Sequence, residues 1–193
     1  MPRGLIVALC AMLIASPTFA APLHLKIDPA TSKVTTVVAE PDRTKGSATA
    51  RFTITSGEVS GDPSNPASYS SVTIVLDAKS YDSGNGFRDD AVYGMLDADN
   101  YPTIRFQSTG LDQITIGQGN SGSANLVGNL TIHGKTKPLT VPVKASLDDG
   151  NHLTADGEVT FNYADFGVRV PSMMGMTASN QVTVRFHIVA TPG

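Results

Sequence analysis

Residues 126–143 read LVGNLTIHGKTKPLTVPV. Leu126, Leu130 and Ile132 fall on one face of an extended chain, with Val127, Asn129 and Thr131 on the other. His133-Gly134-Lys135-Thr136 then supplies a turn, in which Gly134 can take positive φ without a Cβ clash. Leu139, Val141 and Val143 resume the alternation. A period of two with one apolar face describes a hairpin in a sheet that is apolar on one side and wetted on the other.

The same period recurs outward in both directions. Leu23, Leu25 and Ile27 alternate with His24 and Lys26, and Val34, Thr36 and Val38 form a weaker segment. Phe52 and Ile54, then Val72, Ile74 and Leu76, then Ile104 and Phe106 continue it. Beyond the hairpin come Leu153, Ala155, Val159 and Phe161, and last Val182, Val184, Phe186 and Ile188. Turn-forming residues separate the segments at 57–66, 117–122 and 148–151. One stretch breaks the pattern. FRDDAVYGML at 87–96 places Phe87, Ala91 and Met95 near one helical face, with Val92 and Leu96 beside it. Asp89 and Asp90 suit its first turn, and Pro102 forces the chain extended at Tyr101, so a short helix must end before it. The chain is therefore all-β with one short helix. A barrel and a two-sheet sandwich both satisfy such a pattern. The absence of Trp, and of any Cys but Cys10, excludes an immunoglobulin-type core.

Residues 1–20 read as a secretory signal peptide. Arg3 is the basic start, Leu5 to Ala15 the apolar run, and Thr18-Phe19-Ala20 a cleavage sequence. The run is shorter than the ~20 residues a membrane span needs. Leu9 before Cys10 is too bulky for a lipidation site. Residues 21–193 are expected to form one domain in the periplasm, without a disulfide. The net charge of −3 and the lack of any Lys/Arg run exclude a nucleic-acid footprint.

Four stretches resemble the YceI-like, polyisoprenoid-binding periplasmic proteins. They are LKID at 25–28 followed by Ser32; FRDD at 87–90 with MLD at 95–97 and NYPTIRF at 100–106; GNLTIHGKTKPL at 128–139; and ADG at 155–157, ADFGV at 164–168 and NQV at 180–182. The chain departs from the family pattern at Thr31, at EPDRTKG (40–46) and at Ala91-Val92. The resemblance implies an extended eight-stranded antiparallel lipocalin-like barrel, with an apolar tunnel that holds a long prenyl chain such as a quinone or polyprenyl lipid. It implies a binder or carrier without catalysis, metal or cofactor beyond the bound isoprenoid or other long-chain amphiphile.

The inward apolar positions are the candidate tunnel lining. Phe52, Ile54, Ile74 and Leu76 come from the N-terminal half, and Phe87, Met95, Leu96 and Phe106 from the helix and the strand after it. Leu130, Phe161, Phe166, Val184 and Phe186 come from the C-terminal half. The same residues could instead pack a solid core, leaving an interaction module. Met173, Met174 and Met176 are flexible side chains suited to a tunnel mouth built from the loops at 80–90 and 170–178. Alternatively, their soft thioethers could form a periplasmic metal- or redox-handling module. His24, His133, His152 and His187 do not cluster with them. Asp89-Asp90 and Asp97-Ala98-Asp99 suit helix capping, since the latter lacks the glycine and terminal glutamate of a calcium loop. No nucleophile elbow, zinc-protease helix or phosphate-cradling glycine loop is present. The long strand from Val182 to Ile188 leaves a homodimer open through edge pairing.

Overall fold

A computed structural model describes residues 23–39, 46–62, 71–169, 172–173, 176–177 and 179–193. The proposed signal segment lies outside them, as do residues 40–45.

The strands are β1 (Leu23–Ile27), β2 (Lys33–Ala39), β3 (Ser47–Phe52), β4 (Ile54–Gly61), β5 (Ser71–Asp77), β6 (Thr103–Ile116), β7 (Ser121–Ile132), β8 (Lys135–Leu147), β9 (Leu153–Asn162), β10 (Ser172–Met173), β11 (Met176–Thr177) and β12 (Gln181–Pro192). Among the described residues the one α-helix, α1, spans Gly86–Leu96. Every strand pairing is antiparallel, and β1 pairs with both β4 and β12, which closes the sheet.

Two of the eight staves are broken strands. β1 and β2 lie successively against β12, with Leu25 opposite Pro192 and Val38 opposite Val182. β3 and β4 follow as the next stave, in two pieces about Thr53. The jog between β1 and β2 is held by Asp28 and Ser32. Ala30 N donates to Asp28 Oδ1 at 2.9 Å and the Thr31 hydroxyl to Oδ2 at 2.7 Å. These two donors hold the Asp28 carboxyl below its ordinary pKa. Val189, on β12 opposite the jog, accepts from Asp28 N at 2.9 Å and donates its own N–H to Ser32 Oγ at 2.9 Å. The jog thus leaves no gap in the ladder at Val189.

The hairpin of 126–143 is a regular ladder from Ser121 opposite Ser146 to Ile132 opposite Lys135, turning on His133 and Gly134, both at positive φ. Two segments run longer than their sequence suggests. β4 continues through Gly57 to Gly61, because Gly57 lies where a Cβ would run into Ile27. β6 continues to Ile116 through two register shifts, which scramble its alternation.

The helix is capped at both ends, by Asn85, which the sequence reading did not single out, and by Asp97, which it did. Asn85 Oδ1 accepts from Arg88 N at 3.2 Å. Asp97 closes the other end in the left-handed conformation, its N–H directed to Gly94 and Tyr93 carbonyls. α1 and the turn at Tyr163–Phe166 sit at the end where β6 begins and β7 ends; the 117–120 and 148–152 turns mark the opposite end.

Candidate functional site: an apolar cavity along the barrel

The barrel is hollow. A cavity of about 1230 Å³ is lined by inward side chains of every stave, from Tyr81, Arg88 and Val92 at the helix end to Asn120, Asp148 and Asn151 at the other. Its volume rules out a solid core. Its length follows from strands of 12 to 14 residues in β6, β7 and β8, at ~3.3 Å per residue.

Two glycines keep this space open. Phe186 pairs directly with Gly157 across β12 and β9, and a Cβ at 157 would run into the Phe186 ring and the Pro142 carbonyl. Gly128 likewise lies beneath the Phe106 ring. Each large ring therefore lies over bare backbone on the neighbouring strand and contributes apolar surface while leaving lumen free.

At the helix end the wall is backed by packed residues. Ala78, Leu96, Ala98, Ile104, Leu130, Ile132, Phe166 and Val168 form one buried cluster. Phe166 is 3% exposed and meets Phe161 edge-on at 5.7 Å. Tyr163 faces the cavity and donates its hydroxyl to the Ser179 carbonyl at 2.7 Å, and burial pushes its pKa up. Nearer the middle, Leu25, Ile27, Val34, Ile54, Ile188 and Ala190 form a second cluster.

Sequence-chosen candidates fall into three groups. Phe52, Ile74, Leu76, Met95, Leu96, Phe106, Leu130, Phe161, Val184 and Phe186 all lie on the cavity wall. Ile54 and Phe166 are buried but off the wall, packed in the clusters behind it. Phe87 is a correction: it stands 90% exposed in the first turn of α1 and faces solvent. The helical period does not reveal which flank of a short helix meets the barrel; Val92, Met95 and Leu96 do. Met173 and Met176 are register partners across β10 and β11, while Met174 and the side chains of all three lie outside the described residues.

The mouth expected from the 80–90 and 170–178 loops lies in part outside the described residues. The exposed wall residues are Thr115, Ile116, Asn120, Ser146, Asp148, Asp149 and Asn151, with Ala39 the lone described one at the helix end. These seven residues form an exposed rim at the end opposite the 80–90 loop. Asp148 anchors it: Oδ1 accepts from Gly150 N at 2.9 Å and His152 N at 2.8 Å, and Oδ2 meets His152 Nδ1 at 2.9 Å. The His152 and Gly150 donors hold its carboxyl below the ordinary range.

Three carboxylates of the acid pairs are engaged locally. Asp89 Oδ1 accepts from Ser83 N and Oγ, Asp97 from Asn100, and Asp99 pairs with Lys79. Among the described residues no group of three His, Cys, Asp or Glu is placed to hold a metal ion. No described helix is long and apolar enough to cross a membrane.

Sequence reasoning missed Arg88, Tyr81 and the rim. Arg88 was visible only as part of a motif, and the rim residues sit in turns whose polar composition gives no inward or outward sense.

The YceI-like domain family matches residues 25–190. A UPF0312 protein of Vibrio cholerae is 34% identical over 145 residues, covering 72% of this chain and 71% of that protein. The crystal structure of BcnA from Burkholderia cenocepacia superposes with a TM-score of 0.72 at 29% identity, covering 86% of this chain and 99% of that one. A polyisoprenoid binding domain from Saccharophagus degradans shares the fold, with a TM-score of 0.68 at 13% identity over 88% of this chain and 98% of its own.

Proposed function

This chain belongs to the YceI-like domain family, and from that premise we propose that it is a non-catalytic carrier of a long-chain isoprenoid lipid. The observation that carries this reading is the continuous apolar cavity of about 1230 Å³. It exceeds the roughly 300–1,000 Å³ typical of drug-sized pockets, and its wall is apolar along most of its length. A prenyl tail suits such a space, because each buried CH₂ equivalent contributes about 0.8 kcal/mol with no hydrogen bond required. The Saccharophagus degradans domain, described as polyisoprenoid binding, supports the ligand class through shared fold. The 1–20 segment, with its basic start, apolar run and Thr18-Phe19-Ala20, supports export to the periplasm with cleavage after Ala20.

The test is direct. Purified protein is extracted with organic solvent and the extract analysed by mass spectrometry. Protein stripped of lipid is then offered a prenylquinone and a polyprenol. A prenyl lipid in the extract, or saturable uptake of either probe, is the expected result. Protein that is always empty and takes up neither probe overturns the reading.

A further inference from the structure

β8 and β9 part company halfway along the barrel. β8 pairs with β7 over its whole length, but with β9 only from Leu147 opposite Leu153 to Val143 opposite Gly157. β9 runs on against β12 to Asn162 opposite Gln181, so both strands continue while the ladder between them stops. Proline explains where it stops. Pro142, the next residue of β8, has no N–H to donate, and its carbonyl lies against Gly157 on the β9 side. Pro138, on the same side of the strand, lacks a donor too. Val141 and Val143 on one bank of this seam, and Val159 and Phe161 on the other, line the cavity.

The residues after β9 fill the seam. Tyr163–Phe166 form a 3-10 turn, which Gly167 closes at a φ of 78° with its N–H on the Ala164 carbonyl at 2.9 Å. Gly167 lies so close to β8 that a Cβ there would run into the Lys135 side chain. Phe166 and Val168 are buried in the cluster that holds Leu130 and Ile132, with Leu139 of β8 packed against it, whereas Asp165, Gly167 and Arg169 are exposed. Tyr163 and Val168 complete the cavity wall. The attachment is one-sided. Tyr163 is tied down at the β9 end, its N–H on the Asn180 carbonyl at 3.0 Å and its hydroxyl on that of Ser179 at 2.7 Å. Among the described residues no hydrogen bond joins 164–168 to β8, where side chains alone make the contact.

We propose that residues 163–168 are a flap over a lateral portal, hinged at Tyr163, and that the long apolar ligand enters and leaves the cavity sideways between β8 and β9. This rests on the carrier reading and goes beyond it to the route. Lifting the flap from β8 breaks side-chain packing and no ladder bond, so it disturbs less structure than parting two paired strands would. Burial of Phe166 and Val168 keeps the closed form dominant. A tail that passes between the banks of the seam meets apolar side chains along its length. One that enters end-on must thread past Asp148 and Asp149. A gate lies on the path and not at its ends, so it sets the rates of uptake and release together and leaves the affinity alone.

The experiment staples the flap shut. Lys135 and Asp165 are exposed and off the cavity wall, and Cys10 is the one native cysteine. Lys135→Cys and Asp165→Cys, in a Cys10→Ser background, are bridged by a flexible bismaleimide. Uptake of a prenylquinone from phosphatidylcholine vesicles is then followed in time. The bridged protein is expected to take up the probe about tenfold or more slowly than the unbridged pair, and to reach the same final occupancy. Protein loaded first and bridged afterwards should release it with the same delay. A measurement free of substitutions follows amide exchange in wild-type protein. Tyr163 and Gly167 amides should exchange faster than those of the β7–β8 ladder, by an opening that stops short of global unfolding. Uptake by no form, wild type included, overturns the carrier reading and the portal with it. Three outcomes overturn the portal alone: unslowed uptake after bridging, a bridged protein whose final occupancy falls, or flap amides as well protected as the ladder.

Discussion

At the helix end of the barrel, residues from β5 through β7, α1 and the 163–168 segment converge into one buried cluster that makes the cavity wall and the packing behind it. At the opposite end the wall runs out into exposed turn residues, where Ile116 is 71% exposed and Asp148 is tied only to its own turn. One end is covered by packed side chains to its limit, while the other runs from a packed cluster into exposed turns ordered by hydrogen bonds. The difference teaches how a barrel can be both stable and hollow. Strands and a helix supply the core behind the wall, so the turns at the rim can be polar without loss to the fold.

Four measurements sharpen or break that contrast. Phe166→Ala removes a 3% exposed ring from behind the helix-end wall and should cost about 3–5 kcal/mol in chemical denaturation. A cost below about 1 kcal/mol would show that the cluster does not carry the fold. Gly157→Ala sets a methyl against Phe186 and the Pro142 carbonyl and should cost about 1–3 kcal/mol. Prenyl lipid uptake should weaken along with it, as the ring is pushed into the lumen. Wild-type stability and uptake in that variant would remove the glycine from the account of the hollow interior. Ile116→Ala at the rim should stay within about 0.5 kcal/mol, as exposed sites do. A loss matching Phe166→Ala would erase the difference between the ends.

The smallest effect is in acid. The folded pKa of Asp148 is depressed, so its turn is supported above the unfolded carboxylate pKa and loses that support as pH falls through the folded one. Amide exchange at Gly150 and His152, compared with that of the barrel strands, should accelerate in that window while the strands stay protected. Protection at Gly150 and His152 that ignores acid would mean Asp148 does not hold the turn.

Much of this was legible in residues 126–143. The alternation of Leu126, Leu130 and Ile132 against Asn129 and Thr131 gave the hairpin and its inner face, while the turn expected over 133–136 proved to be His133-Gly134 alone, with Lys135 and Thr136 already paired in β8. The 87–96 period, the acids of its first turn and Pro102 gave the helix to within a residue, because first-turn charge and proline geometry are local. Where the period failed, the cause was tertiary. β6 hides two register shifts after Phe106, and Gly57 sits in a strand because Ile27 covers it. Phe87 shows the same limit from the other side: an aromatic in a motif is apolar wherever it points.

What the sequence determined alone was the kind of surface. A period of two with one apolar face commits the chain to burying that face in a closed or stacked sheet, whatever its partners are. The tertiary structure decided that the buried face encloses space rather than filling it. Whether Phe106 and Phe186 fill the lumen or lie along its wall depends on Gly128 and Gly157, on neighbouring strands and distant in sequence from one of the two rings. It also decided which described charges line the cavity, since Arg88 and Asp148 reach it through the placement of a helix and a turn on the closed sheet.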